Sequence, residues 1–153
     1  MSQELQVPLP ALREWKIGPH TVIFEPPELL RLIYQGNLTL EQARALVEIY
    51  RELVRTRPVD ILGDMSAADP LAPEVQRYLG ETLRTEWFRI SVYFGARLVH
   101  KALIKGVAIA THLATSASPP TEVLMSGIHY AGTREEAERL LHELRARLPP
   151  QEG

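Results

Sequence analysis

The stretch "LLRLIYQGNLTLEQA", residues 29–43, decides how the chain is read. In its first half Leu30, Leu32 and Tyr34 alternate with Arg31, Ile33 and Gln35, which is the period of a β-strand. Gly36-Asn37 supplies a turn. Thr39 and Gln42 then stand three apart, a capping box in which each side chain satisfies an orphan amide at the other residue. Beyond it Ala43, Leu46, Val47, Ile49, Tyr50, Leu53 and Val54 share one helical face. Glu41, Arg44, Glu48, Arg51, Glu52 and Arg55 share the other, where opposite charges three and four apart mark a solvated surface. A strand that turns into a capped helix within three residues is a β-α unit.

Working outward, the same alternation repeats. Upstream, "REWKIG" and "HTVIFE" flank Gly18-Pro19 and read as a hairpin, ended by Pro26-Pro27, since proline cannot donate a ladder hydrogen bond. Downstream, Pro58 stops the first helix and "VDILGDM" reads as a buried strand, its apolar core being Val59 to Leu62. Pro73 fits the first turn of a second helix, expected to run to about Glu86 with Val75, Tyr78, Leu79 and Leu83 inward. "FRISVYFGA" is a strand dense in aromatic and β-branched residues. A long helix is expected over about Ala96 to Thr115, then the connection "SASPP", then the strand-like "EVLMSGIHYA". Thr133 with Glu136 forms a second capping box, and Ala137, Leu140, Leu141, Leu144 and Leu148 form the stripe of a last helix. The order β-β-β-α-β-α-β-α-β-α predicts an α/β fold: a mostly parallel central sheet, an N-terminal antiparallel hairpin and about four helices. Residues 1–12 read as a flexible arm, 13–148 as one domain and 149–153 as a tail.

Composition narrows the function classes. The chain has 153 residues, enough for one compact domain, with 45% hydrophobic and 24% charged residues. A formal charge of -2 argues against nucleic acid as the main partner, because phosphate binding shows as cationic excess. There is no cysteine, so disulfides, thiolate nucleophiles and cysteine metal sites are excluded, as suits a reducing cytoplasm. The N-terminus lacks the basic and apolar regions of a secretion signal. The longest apolar stretch, Ala96 to Ala114, carries Arg97, His100, Lys101, Lys105 and His112, too many for a membrane span.

Four passages, "LLRLIYQGNLTLEQA" (29–43), "VDILGDMS" (59–66), "RISVYFGA" (89–96) and "IHYAGTREEAERLL" (128–141), resemble the STAS domain (sulfate transporter and anti-sigma factor antagonist), in its small stand-alone SpoIIAA-like branch. The resemblance implies a non-enzymatic signalling or binding domain. Its protein partner would be a kinase that doubles as an anti-sigma factor, or another regulator. In the family a serine at the start of the helix after the second parallel strand is phosphorylated, in a motif of Asp-Ser, then Ser or Thr, then Gly. Here the matching stretch, "SAADPLAPEV", has Asp69, Pro70, Leu71 and Ala72 in its place, and Ser66 comes several residues early. The phosphoswitch therefore does not carry over. SpoIIAA-like proteins also resemble CRAL-TRIO-type lipid-transfer domains, which implies an apolar, lipid-like ligand as the alternative.

The candidate regulatory loop is Asp64, Ser66, Asp69 and Glu74. A phosphate on Ser66 would meet two carboxylates, which is unfavourable without a basic neighbour. As a plain turn, the Asp and Ser side chains satisfy loop amides, and Asp69 could act as a fixed charge at a helix start. On the long helix Arg97, Lys101 and Lys105 fall on one side, with His112, and Ala102, Gly106 and Ala110 on the other. This is either a cover helix with snorkelling cations or a surface for a partner or anionic lipid. The five histidines show no metal-ligand spacing, no G-x-S-x-G elbow is present, and the scattered glycines make no phosphate loop. No catalytic residue, metal or cofactor is expected. A homodimer would use an apolar edge strand near Ile23 or the small-residue helix face.

Overall fold

A computed structural model describes residues 12–97, 100–102, 104–107, 109 and 127–148. The strands are β1 (Arg13–Ile17), β2 (His20–Glu25), β3 (Leu29–Gly36), β4 (Val59–Ala68), β5 (Phe88–Phe94) and β6 (Ile128–Ala131). The helices are α1 (Leu40–Leu53), α2 (Pro73–Thr82), α3 (helical residues 100–102, 104–107 and 109) and α4 (Arg134–Ala146), with a 3-10 turn at Thr85–Trp87. The expected arm before Leu12, the tail, the "SASPP" connection, the far end of the long helix with His112, and residues 122–126 lie outside the described residues.

The six strands form one sheet in chain order. β1, β2 and β3 pair antiparallel, and β3, β4, β5 and β6 pair parallel. The α/β architecture with its N-terminal hairpin is therefore as the alternation predicts. Gly18 takes φ +58° in the hairpin turn, a left-handed conformation that glycine adopts without a side-chain clash. Both capping boxes form: Thr39 with Gln42 opens α1, and Thr133 with Glu136 opens α4.

Alternation along the strands sends side chains to two cores. Leu30, Leu32, Val59 and Ile61 pack against Leu46, Ile49 and Tyr50 of α1. Their neighbours Leu29, Leu62, Ile90, Val92 and Phe94 pack against Ala137 and Leu141 of α4. The parallel part of the sheet is thus covered on both faces, which is why its strands read as near-continuous apolar runs. Ala43 and Val47 of α1 meet Val75 and Leu79 of α2 around Leu38. Each such burial of a Val or Leu side chain contributes about 1.5–3 kcal/mol.

An ionic cluster closes the amino ends of the strands. Asp60 is fully buried. It accepts Arg89 Nε at 3.0 Å and Nη2 at 2.8 Å, and it pairs with Arg145 Nε at 3.1 Å. Arg145 also donates to Glu28, which Arg57 approaches at 3.8 Å. A nearby second clamp joins Arg31 to both carboxylate oxygens of Glu138, at 2.7 and 3.2 Å. Both clamps tie α4 to the sheet.

Three expectations are corrected. β4 does not stop near Leu62 to release a loop: pairing of Gln35 with Ala67 and Gly36 with Ala68 holds it extended to Ala68. β5 by contrast ends opposite Asp64, so the last residues of β4 have a neighbour on one side alone. The second helix ends at Thr82 rather than near Glu86, because Leu83 and Trp87 turn back to pack on the α1 cores. Finally, β2 lies between β1 and β3, so Ile23 is not on an edge strand.

Candidate functional site: a cavity under the parallel strands

Between the sheet and α1, α2 and α3 lies a cavity of about 200 Å³. Its floor is Tyr34, Ile61, Ser91 and Tyr93 of the strands. Leu46 and Tyr50 of α1, Leu79 of α2, and Ile104 and Val107 of α3 close it over. Met65, Ala68, Asp69 and Leu71 line it at the carboxyl end of β4, while Arg84, Thr85, Phe88 and Arg89 line it near the amino end of β5. Gly63 shapes the floor. A Cβ there would lie 2.6 Å from the Tyr93 ring, so the missing side chain lets that ring lie across β4.

The polar side chains that β3, α1 and β5 turn to the middle of the cavity carry hydroxyls. Tyr34 and Tyr50 face the cavity from β3 and α1, and Tyr93 and Ser91 face it from β5. Burial, the largest cause, pushes the Tyr34 phenol up to about 12, and raises Tyr50 and Tyr93 well above the ordinary tyrosine value. All three stay protonated through the physiological range, so this part of the wall is polar without charge.

His100 fixes α3 over this cavity. It is 1% exposed. Its Nδ1 accepts the Arg97 amide at 3.1 Å, so Nε2 carries the hydrogen and donates to Ala68 O at 2.9 Å. Lys101 N donates to Arg97 O at 3.1 Å, which makes Arg97 the cap residue and His100 the third helical position. A histidine thus does at α3 what Gln42 and Glu136 do in the other two boxes. Arg97 Nη2 donates to the same Ala68 carbonyl at 3.2 Å.

The residues expected in a regulatory loop fall on one surface, at the carboxyl end of β4. Ser66 is an exposed strand residue, and its amide donates to Asp64 Oδ1 at 2.9 Å. Asp69 follows the strand, and its amide donates to Gly36 O at 3.0 Å. α2 begins only at Pro73, with Ala72 as its cap residue, so the acidic side chain in the helix's first turn is Glu74, not Asp69. The three cations diverge. Arg97 is drawn to Ala68, Lys101 lies over the Tyr130 ring at 5.2 Å, and Lys105 is exposed. Among the described residues no group of three His, Asp or Glu side chains could hold a metal ion, and no helix is long and apolar enough to cross a membrane.

The cavity and the cap role of His100 escaped the sequence reading. A signal was present: Tyr34, Tyr50 and Tyr93 all fall at inward positions of their elements, and buried tyrosines need polar company that a dry aliphatic core does not offer.

No family model and no curated relative matches the sequence. Among solved structures, the chain is similar to the STAS domain of a SulP transporter from Vibrio cholerae. The two share 13% identity with a TM-score of 0.48, over 81% of this chain and 89% of that one. It is also similar to an uncharacterised protein with a SpoIIAA-like fold from Shewanella loihica, at 14% identity and TM-score 0.46, over 86% of this chain and 92% of that one.

Proposed function

We propose that the chain is a non-catalytic binding and interaction domain that holds a small, largely apolar ligand in the cavity and presents the surface around Asp64, Ser66, Asp69 and Glu74 to a protein partner. One observation carries this reading: the end of β4 belongs to both places. Met65, Ala68, Asp69 and Leu71 line the cavity, while Ser66, Ala67, Asp69 and Glu74 are exposed beside them. The pairing with β3 shifts register between Ile33 and Gln35, and the exposed Ser66 and Ala67 stand between the wall residues Met65 and Ala68, so a ligand that pushes on either acts on the adjoining backbone. The mostly apolar wall with a few placed hydroxyls is the usual make-up of a small-molecule site.

The test is organic extraction of purified protein followed by mass spectrometry, beside thermal unfolding with added hydrophobes. A bound hydrophobe, or a ligand-dependent rise in Tm that Ile104→Trp abolishes by filling the cavity, supports the reading. A protein that yields no extract and is shifted by no hydrophobe overturns it.

A further inference from the structure

We infer that the ligand carries a carboxylate, and that Arg84 at the amino end of β5 receives it. The inference rests on the cavity reading above and adds the ligand's chemical class and its direction in the site. Arg84 lines the wall and is partly buried. Its Nη1 is shared among three long bonds, to the carbonyls of Glu81 at 3.3 Å, Thr82 at 3.4 Å and Leu83 at 3.2 Å. Its Nε and Nη2 donors have no partner among the described residues, and no described carboxylate pairs with it. A guanidinium with two adjacent donors unspent matches the two oxygens of a carboxylate.

The charges on the described wall point the same way. Arg89, also on the wall, is matched by Asp60. That leaves Arg84 as the cation on the described wall without a carboxylate. The one carboxylate on the described wall is Asp69, at the far end beside Gly36. β4 runs ten residues between the two ends, so Asp69 does not neutralise Arg84. An acid would place its head at Arg84 and Thr85, with its chain toward Leu79 and Val107.

Volume sets the size. A cavity of about 150 Å³ holds benzene, so one of this size holds about eight non-hydrogen atoms, the size of hexanoate.

The experiment compares hexanoate, hexanol and hexylamine by calorimetric titration of the full chain, then repeats the acid and alcohol on Arg84→Gln. The wild type is expected to bind the acid about tenfold or more tightly than the alcohol, as for a hydrogen bond to a charged group, and the amine most weakly. Arg84→Gln should bind acid and alcohol alike, its retained alcohol affinity showing an intact cavity. Equal affinity of the wild type for acid, alcohol and amine overturns the acid assignment and leaves the cavity reading standing. A preference for acid that survives Arg84→Gln overturns the role of Arg84. Binding of none of the three overturns this inference and the cavity reading together.

Discussion

Gly95, just past β5, takes φ +71°, and a Cβ there would sit 3.0 Å from the amide nitrogen of Ser66 and 3.1 Å from its Cα. Those are backbone atoms of a paired strand and cannot yield as a flexible side chain would. Gly95→Ala therefore combines left-handed strain with a backbone clash, and is expected to lower stability by about 2 kcal/mol or more in urea unfolding. Ser66 itself is different. Its side chain is exposed, and the bond that holds this residue runs from its amide to Asp64. Ser66→Ala should change stability by less than ~0.5 kcal/mol, and, on the proposed reading of a surface that acts by shape and fixed charge, should leave partner capture unchanged. A large loss of partner binding in a well-folded Ser66→Ala variant would restore the phosphoswitch.

At the scale of elements, α1 and α4 were legible because their signals are local: a Thr followed three residues later by Gln or Glu, then an apolar stripe. α2 was legible at its start, where Pro73 fits the first turn, but not at its end. The fold stops it where Leu83 and Trp87 must face the core, a demand that lies outside the helix's own sequence. α3 shows the same limit at its start. The His100 cap works only because the Ala68 carbonyl, thirty-two residues away, waits for Nε2. His100→Ala removes both bonds from a buried site, and is expected to cost about 2–3 kcal/mol and to loosen α3 over the cavity. Hydrogen exchange should show the described α3 amides losing protection while those of α4 keep theirs. Equal loss in both helices would mean that His100 supports the whole core rather than this one lid.

For the whole molecule, the buried ions set stability. Asp60 sits at 0% exposure between Arg89 and Arg145. Asp60→Ala strands two guanidiniums and is expected to cost about 3–5 kcal/mol by chemical denaturation. The tyrosines set the alkaline limit. Tyr34, Tyr50 and Tyr93 have folded values raised by burial, Tyr34 to about 12. Their contribution is complete below about pH 10, the ordinary tyrosine value, and falls as pH rises from there through the folded values. Tyrosinate absorbance should therefore show Tyr34, Tyr50 and Tyr93 ionising only with unfolding. Five smooth, reversible ionisations near pH 10 in a folded chain would mean that the cavity is open to water.

The sequence by itself determined what short-range periodicity can carry. It set the element order, the two capping boxes, the hairpin at Gly18-Pro19 and the apolar faces of α1 and α4, because each depends on residues a few positions apart. It could also show that "SAADPLAPEV" lacks a serine where the resembled family places one. Only the tertiary structure decided what lies between elements. Pairing with β3 turned Ser66 from a loop residue into a strand residue. Helices held slightly off the sheet left a cavity beneath them, with neutral tyrosines along its floor and Arg84 at one end. Such a space is made by backbones meeting from distant parts of the chain, and no local pattern of side chains encodes it.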